Sequence, residues 1–324
     1  MPDNHIAVLR QMIEKGLIDI PLPKNPTKLY APMQYILALG GKRIRPILTL
    51  LGAELFGAEA KLALPQALAV EVFHNFTLVH DDIMDRADVR RNTPTVHKKW
   101  DDNVAILSGD GMMVLAYQLL AETNSEHLPT LFKIFSATAL EVCEGQQYDM
   151  DLAHADEVFM TQYIEMIRLK TAVLLTAAMQ IGAKVAGANQ VDLDQIKVFA
   201  ENIGLAFQIR DDYLDAFGSQ ADFGKKIGGD IIEGKRTWLT VRALEKANST
   251  QHKALLDAYA DSDFDRRVKT VLELYKALNI EQDAHIAIEA LSSTAMNGLA
   301  QIDGKENIKQ ELKALVQYLM GRTK

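Results

Sequence analysis

The sequence predicts an all-α protein, and three observations lead to that prediction. Helix-forming residues such as Leu, Ala, Glu, Lys and Met are frequent, whereas strict alternation of apolar and polar residues is rare. Apolar residues recur at three- and four-residue spacing through long segments. Proline-containing stretches fall between these segments. We expect one large helical bundle over residues 1–324, without a flexible linker or an internal repeat.

The predicted helices follow one another along the chain. Residues 63–85 form the first long apolar segment, with Pro65 near its start, where proline is tolerated. Asp101 and Asp102 precede the next segment, 102–123, and we expect them to cap its N-terminus. Further long helices are expected over 131–150, 161–187 and 196–216, and residues from 251 onwards predict several shorter amphipathic helices.

Composition excludes several classes of protein. The formal net charge of −8 argues against a general nucleic-acid binder. Cys143 is the only cysteine, so no disulfide can form within the chain, and this favours a reducing compartment. No stretch approaches the roughly 18–20 uninterrupted apolar residues of a membrane span. We expect a cytoplasmic protein with no nucleic-acid partner and no membrane anchor.

The pattern D-D-x-x-D occurs twice, at 81–85 and at 211–215, each time at the end of an apolar helical segment. Asp81 and Asp85 are four residues apart and share a helix face, whereas Asp82 lies about 100° around the axis. Like charges at this spacing repel, and the C-terminal end of a helix disfavours anions. A divalent cation removes both penalties, and an all-oxygen ligand set indicates Mg²⁺ with phosphate and water.

A solvated helix end is the alternative interpretation of either cluster. The loops that follow argue against it, because RADVRRNTPT (86–95) and GKKIGGDIIEGKR (224–236) are both rich in basic residues. Basic loops beside acidic helix ends favour an anion that is bound together with metal ions.

The ordered motifs resemble those of the trans-isoprenyl diphosphate synthases, the polyprenyl synthetase family. FTLVHDDIMDRADVRRNTPTVH and FQIRDDYLDAFG are similar to the two aspartate-rich motifs of that family. Asn92 stands where the family commonly has glycine, and we expect the turn to survive because asparagine tolerates positive φ. Four shorter matches follow the family's order: GGKRIRP (40–46), GQQYD (145–149), LKT (169–171) and GKKIGGDIIEGKRT (224–237).

The resemblance implies a fold, an activity and a metal. The fold is a single helical bundle of the isoprenoid synthase type, with a central cavity lined by the two aspartate-rich helices. The activity is the Mg²⁺-dependent, head-to-tail condensation of isopentenyl diphosphate with dimethylallyl, geranyl or farnesyl diphosphate, by ionisation, condensation and elimination. The resemblance further implies three Mg²⁺ ions per active site and a homodimer.

The resemblance also implies roles for the acidic residues. Asp81, Asp85 and Asp211 are the expected direct metal ligands. The other three carboxylates of the two motifs are expected in the second coordination shell or bound through water, namely Asp82, Asp212 and Asp215.

The remaining implied roles divide between the two substrates. Expected to hold the allylic diphosphate are Arg90, Lys170, Lys235 and either Lys225 or Lys226. Expected to bind isopentenyl diphosphate are Lys42, Arg45, His74 and Arg91. Expected to stabilise the carbocation are Thr171, Gln208 and the Lys170 carbonyl. Without the resemblance, His74 would be interpreted as a hydrogen-bonded core histidine and Gln208 as a buried amide bonded to a neighbouring helix.

Product length is predicted from the residues before Asp81. Phe76 lies five residues before it, as in geranylgeranyl-type enzymes, next to the small Thr77, and Phe73 lies about one helical turn further away. This arrangement favours a C20 product over C15, with a longer-chain synthase as the alternative. A class I terpene cyclase or a non-catalytic regulatory subunit would be expected to have lost one motif, and both motifs are intact here.

Overall fold

The structure, a computed structural model, describes residues 4–123, 126–153, 155, 157–218 and 228–321. Its helices are α1 (Asn4–Asp19), α2 (Thr27–Ala38), α3 (Ile44–Leu55), α4 (Leu64–Met84), α5 (Val96–Lys99), α6 (Asp102–Leu120), α7 (Leu128–Ala153), α8 (Met160–Ile167), α9 (Val173–Val185), α10 (Gln190–Phe217), α11 (Gly229–Glu233), α12 (Trp238–Lys246), α13 (Ser249–Ala260), α14 (Phe264–Ala277), α15 (Ile280–Gln301) and α16 (Glu306–Met320).

Three shorter elements complete the described part of the chain. A 3₁₀ turn (Ala60–Ala63) precedes α4, and a π-helical turn (Arg168–Ala172) joins α8 to α9. Strand β1 (Val89–Arg90) pairs antiparallel with β2 (Thr93–Pro94). Within the described residues these two strands form the only sheet, so the all-α prediction is confirmed.

The predicted long helices are present, with small shifts at their ends. Of the two expected capping residues, Asp101 is the N-cap of α6, and its side chain accepts a hydrogen bond from the Val104 N–H at 2.8 Å, whereas Asp102 is the first residue of the helix. The segment predicted as one helix over 161–187 is interrupted by the π-helical turn. The β1–β2 hairpin lies in a stretch predicted as loop, and α15 is longer than the short C-terminal helices that the sequence predicts.

The chain forms two compact units, each built from three stretches of sequence. The first comprises Met1–Thr138, Ala177–Lys197 and Ile302–Leu312, and the second comprises Ala139–Thr176, Val198–Gln301 and Lys313–Lys324. The single-domain organisation expected from the sequence stays a prediction.

The first unit has its core around α3, α4 and α6. Leu51, Val70 and Met112 are fully buried there, and each buried apolar side chain contributes roughly 1.5–3 kcal/mol to folding. Helix α6 approaches α4 closely at Gly109, where a Cβ atom would overlap the imidazole of His80. This close approach holds the C-terminal half of α4, which carries the first aspartate motif.

The second unit has its core around α8, α10, α12 and α14. Ile209, Leu239 and Tyr275 belong to one buried apolar cluster. The Tyr275 hydroxyl lies 2.9 Å from the Thr240 hydroxyl and 3.0 Å from the Tyr259 hydroxyl, so its polar atom is satisfied inside the core.

Three helical stretches are long and apolar enough to cross a membrane, judged by length and composition alone: Ala60–Met84, Asp102–Leu120 and Met160–Val185. The first and third have 61% and 78% of their most apolar windows buried inside the protein, as core helices do. The second stretch, which is α6, has only 39% buried. Helix α6 therefore keeps an apolar face on the surface of the first unit.

The π-helical turn is packed between two glycines on neighbouring helices. A Cβ atom at Gly145 of α7 would overlap the backbone nitrogen of Lys170, and one at Gly204 of α10 would lie 2.6 Å from the Ala172 Cα. Helices α7 and α10 can approach the turn this closely only because neither position has a side chain. The two glycines therefore set the position of Lys170 and Thr171.

Replacing Gly145 by alanine is expected to destabilise the protein. Alanine has the higher helix propensity, but its methyl group would meet backbone atoms that cannot move aside, so we expect a net loss of about 2 kcal/mol or more. The free energy of unfolding in urea measures this. Gly111→Ala on α6 is the matched control, because its Cβ would make ordinary contacts of 3.5 Å with Leu29 and Met33. Equal stability of the two variants would contradict the packing described here.

Candidate active site

The first aspartate motif lies at the C-terminal end of α4. The motif separates into two kinds of carboxylate, because Asp82 is only 1% exposed whereas Asp81 is partly exposed and Asp85 is exposed. Burial raises the pKa of the Asp82 carboxyl, and hydrogen bonding and charge from Arg90 act in the opposite direction. A buried carboxylate needs such a partner to stay ionised.

Arg90 is the partner of the first motif. Its Nε donates to both carboxylate oxygens of Asp82, at 2.8 and 3.0 Å, and its Nη2 donates to Asp81 at 3.3 Å. The β1–β2 hairpin positions Arg90 through a two-residue turn in which Arg91 and Asn92 have φ of 52° and 62°. Two positive φ values are typical of a type I′ hairpin turn, and the expectation that asparagine is tolerated at 92 is confirmed.

The second motif lies near the C-terminal end of α10, with Asp211 partly exposed and Asp212 buried. The Asp212 carboxylate accepts hydrogen bonds from the Tyr163 hydroxyl at 2.5 Å and from the Trp238 backbone N–H at 2.8 Å. A third comes from the Gln208 amide at 3.3 Å. Burial raises the pKa of Asp212 to about 7, although these three hydrogen bonds lower it.

Asp215 forms hydrogen bonds with residues that follow the second motif in sequence. Its carboxylate accepts the backbone N–H of Asp230 at 2.9 Å, and its backbone carbonyl accepts the N–H of Gly228 at 2.7 Å. Together with the Asp212 bond to Trp238, these contacts tie α10 to the stretch that carries Lys235. Lys225 and Lys226 lie outside the described residues.

The cations expected at the allylic diphosphate are held by carboxylates. Lys170 Nζ lies 2.6 Å from the Asp149 carboxylate, and Lys235 Nζ lies 2.7 Å from Glu233 and 3.5 Å from Asp230. The Thr171 hydroxyl donates to the Gln208 amide oxygen at 3.3 Å. Six of these groups line one cavity of about 190 Å³ in the second unit, together with Asp212; they are Asp149, Lys170, Thr171, Gln208, Asp230 and Lys235.

The cations expected at isopentenyl diphosphate are arranged differently. Arg45 Nη1 lies 3.2 Å from His74 Nε2, and because arginine can only donate, His74 accepts on Nε2 and carries its proton on Nδ1. Burial and four neighbouring arginines hold the pKa of His74 well below its usual range, so the imidazole is neutral. Burial lowers the pKa of Arg45 to about 10, which leaves it charged at neutral pH. Arg91 donates to the carbonyls of Leu39 and Gly40, and Lys42 is exposed.

The residues expected to limit product length lie on α4 within an aromatic cluster. Phe73 is buried, with its ring centroid 5.5 Å from that of Phe76 and 5.2 Å from that of Phe135 on α7. Phe76 is partly exposed and lies 4.7 Å from the His80 ring. Thr77 is partly exposed and donates its hydroxyl to the His74 carbonyl at 2.8 Å.

The carboxylates fit a hard cation. Among the described residues, no three His, Cys, Asp or Glu side chains already form a metal-binding cluster. In the first motif Asp82 is buried and held by Arg90, whereas Asp81, which Arg90 also contacts, shares a helix face with Asp85, and both have side chains accessible to solvent. Asp211 is the accessible carboxylate of the second motif. Accessible carboxylate oxygens without nitrogen or sulfur ligands are the donors that Mg²⁺ prefers.

Sequence reasoning missed several residues that hold the site together. Tyr163 lies 49 positions from its partner Asp212. Its only sequence signal is its position seven residues before Lys170 on a helical segment, which predicts that the two share a helix face. Asp149 and Asp230 occur in the quoted motifs but were given no role. The buried pair of Arg43 and Glu71 was also missed, because neither residue belongs to the implied ligand sets.

Comparison with known proteins identifies the family. The polyprenyl synthetase family model matches residues 26–278. A geranylgeranyl diphosphate synthase from Methanosarcina mazei is 42% identical over 232 residues, which cover 71% of this chain and 72% of that protein. The chain belongs to the polyprenyl synthetase family. This confirms the family and the prenyltransferase class that the motifs predict.

Solved structures of the family agree with the fold. A crystal structure of a geranylgeranyl pyrophosphate synthase has a TM-score of 0.94 and 42% identity, and the match covers 99% of this chain and 100% of that one. The isoprenoid synthase fold is therefore confirmed. A geranylgeranyl pyrophosphate synthase from Corynebacterium glutamicum, solved with isoprenyl diphosphate and magnesium, has a TM-score of 0.84 and 28% identity, with 99% of each chain covered. Dependence on magnesium is a property of this family.

Asp212 should make the stability of the metal-free protein depend on pH. The folded state keeps the Asp212 proton up to a pKa of about 7, whereas the unfolded chain loses it near the ordinary aspartate pKa of 3.8. The folded state is therefore destabilised as pH rises through this window, by up to about 4 kcal/mol at ~1.4 kcal/mol per pH unit. Asp212→Asn cannot ionise, so its free energy of unfolding relative to wild type should rise between pH 4 and 7.

Urea unfolding in EDTA from pH 4 to pH 8 measures this difference. The exposed Asp257→Asn is the matched control, and its difference from wild type should stay within about 0.5 kcal/mol at every pH. Parallel pH curves for wild type and Asp212→Asn would contradict the burial of an ionisable carboxyl at this position.

Proposed function

We propose that the protein condenses isopentenyl diphosphate with allylic diphosphates of five to fifteen carbons and releases geranylgeranyl diphosphate, C20, as its main product. One observation supports this most directly: the expected anion-binding cations are of two kinds. Arg90, Lys170 and Lys235 contact carboxylates, as cations beside a metal-bound diphosphate would, whereas Arg45 and Arg91 contact an imidazole and carbonyls. An enzyme that condenses two diphosphate substrates, of which only one is bound through metal ions, needs both kinds of cation.

The allylic substrate is bound by carboxylates and cations together. Asp81, Asp85 and Asp211 would hold Mg²⁺, three ions in all, which would neutralise charge on the diphosphate leaving group. Asp82, Asp212 and Asp215 act indirectly, by holding Arg90 and the segment around Lys235. Arg90, Lys170, Lys235 and either Lys225 or Lys226 bind the diphosphate oxygens.

The other diphosphate is bound without metal. Arg45 and Arg91 supply planar donors, Lys42 supplies a point charge, and neutral His74 donates its Nδ1 proton. Because His74 is already neutral, we expect its hydrogen bond to be independent of pH above 6.

The reacting carbons need dipoles rather than nucleophiles around them. When the allylic C–O bond breaks, the Lys170 carbonyl, the Thr171 hydroxyl and the Gln208 amide oxygen face the carbocation. The double bond of isopentenyl diphosphate then attacks the cation, and the proton lost in elimination passes to the released diphosphate. The π-helical turn supports this role, because it departs from the α-helical hydrogen-bonding pattern at Lys170 and Thr171.

A second copy of the chain covers the apolar face of α6. Leu107 and Val114 are 61% and 59% exposed and lie seven residues apart, so they share one face of the helix. An exposed stripe of this kind marks an interface. The proposed assembly is a homodimer in the cytoplasm.

Sedimentation of the purified protein tests the assembly. We expect twice the chain mass of 36.0 kDa at micromolar concentration, and the chain mass alone for a Leu107→Asp, Val114→Asp double variant. The control is Val8→Asp on α1, which also introduces a charge at an exposed valine and should leave the dimer intact. A wild-type monomer would contradict the proposed dimer.

Product analysis tests the reaction. Purified protein is incubated with Mg²⁺, labelled isopentenyl diphosphate and, separately, C5, C10 and C15 allylic diphosphates. We expect a C20 product in wild type and products of C25 or longer in Phe76→Ala, because a smaller side chain lets the growing prenyl chain extend further. Asp81→Asn should lose at least about 100-fold in kcat, since a metal ligand is removed.

Two matched variants accompany these assays. Phe159→Ala and Asp102→Asn change exposed residues of the same types and should leave the product length and kcat unchanged. No condensation from any primer by folded wild type would overturn the proposed function. An active Phe76→Ala variant that still stops at C20 would overturn the role of Phe76 alone.

A further inference from the structure

A buried ion pair lies behind the residues expected to bind isopentenyl diphosphate. Arg43 is 4% exposed and Glu71 is 2% exposed, and Arg43 Nη1 lies 2.5 Å from Glu71 Oε1. The Asn75 side-chain amide, one turn along α4, donates to the Glu71 carbonyl at 2.8 Å and to its carboxylate at 3.2 Å. Neither Arg43 nor Glu71 is accessible to a substrate, so any role in binding must be indirect.

The pair fixes the backbone of the loop between α2 and α3. Arg43 adopts a left-handed conformation, with φ of 53°, immediately before α3 begins. Its Nη2 also donates to the Leu37 carbonyl at 3.0 Å, at the end of α2. A side chain rarely holds this conformation unless its contacts require it. The guanidinium thus joins the last turn of α2, the loop and α4 at one point.

The expected ligands lie on both sides of that point. Lys42 precedes Arg43 in the loop and is exposed, whereas Arg45 follows it in the first turn of α3. His74 follows Glu71 by three residues on α4, so the two share a helix face, and Arg45 contacts His74 at 3.2 Å. One ion pair therefore fixes the loop that carries Lys42, the start of α3 that carries Arg45, and the turn of α4 that carries His74.

Stability alone does not account for a charged pair at this place. Replacing a buried ion pair by apolar side chains of similar volume is often neutral or stabilising, whereas removing one partner is costly. A purely structural role could be filled by two apolar residues. Two apolar residues could not maintain the geometry of the loop, because apolar side chains form no directed hydrogen bonds to Leu37 or Asn75.

We propose that Arg43 and Glu71 are positioning residues for isopentenyl diphosphate: their buried pairing holds Lys42, Arg45 and His74 in the arrangement that binds the metal-free diphosphate. The inference rests on the proposed function, since it concerns one substrate of that reaction. The inference predicts an effect on isopentenyl diphosphate alone, because the pair contacts none of the residues assigned to the allylic diphosphate.

The test compares removal of one partner with removal of both. Glu71→Gln keeps the side-chain volume but not the charge, and Arg43→Met with Glu71→Met replaces the pair by apolar side chains. Three quantities are measured: the melting temperature, the separate KM values for isopentenyl and farnesyl diphosphate, and the Kd of isopentenyl diphosphate by calorimetry in EDTA. Arg242→Met is the control, since it breaks an ion pair with Asp283 elsewhere on the chain.

We expect Glu71→Gln and the double variant to raise KM and Kd for isopentenyl diphosphate at least about tenfold, because small displacements of binding groups are costly. KM for farnesyl diphosphate should change by less than about twofold, as should all constants of Arg242→Met. The double variant should recover the melting temperature that Glu71→Gln loses, but not the affinity.

Two results would overturn the inference. A double variant that regains affinity together with stability would show that the pair acts only in packing, and an unchanged KM in Glu71→Gln would show that the pair is not needed at all. If the double variant fails to fold, Glu71→Gln decides. If the wild type binds no isopentenyl diphosphate, both the proposed function and this inference are overturned. That outcome can be told apart from the others because it is seen without any variant.

Discussion

The contact between Arg90 and Asp82 is the interaction on which the first motif depends. Asp82 lies at the end of an apolar helix, where both burial and the helix dipole disfavour a negative charge. Arg90 relieves both penalties by bonding to both oxygens of the carboxylate. The same contact anchors the hairpin, and so it places Arg91, the first of the two turn residues. This ion pair therefore sets the positions of side chains in the candidate site, in addition to any contribution to the stability of the fold.

In the second motif the buried carboxylate is bonded by neutral hydrogen-bond donors. Tyr163, Trp238 and Gln208 supply hydrogen bonds to Asp212 but no positive charge, and burial consequently raises its pKa to about 7. The two motifs, which are identical in pattern, therefore differ in electrostatics. Asp82 is tied to Arg90, a cation with a role in the proposed mechanism, whereas Asp212 bonds the Gln208 amide and the start of α12.

Periodicity predicted most of the fold, because the apolar faces of long helices are recorded in the sequence. The π-helical turn was not predictable, since it depends on the close approach of Gly145 and Gly204 from other helices. The hairpin was missed because its strands are two residues long and its turn residues, Arg91 and Asn92, include no glycine.

The candidate site was predicted in residue type but not in detail. Spacing alone indicated that Asp81 and Asp85 share a face. It gave no means of telling that Asp82 is held by Arg90, or that Asp212 is bonded by a tyrosine 49 residues away, because partners across a fold leave no local pattern. Motif resemblance supplied the substrates, and physical reasoning about burial separates accessible carboxylates from structural ones.

Calorimetric titration of Mg²⁺ into the protein, in the presence of an unreactive allylic thiolodiphosphate, tests the central claim most directly. The claim is that accessible carboxylates hold the metal while buried carboxylates hold protein groups. We predict metal-dependent binding of the analogue in wild type, its loss in Asp81→Asn and Asp211→Asn, and its retention with weaker affinity in Asp82→Asn. Loss in Asp82→Asn with retention in Asp81→Asn would contradict the account.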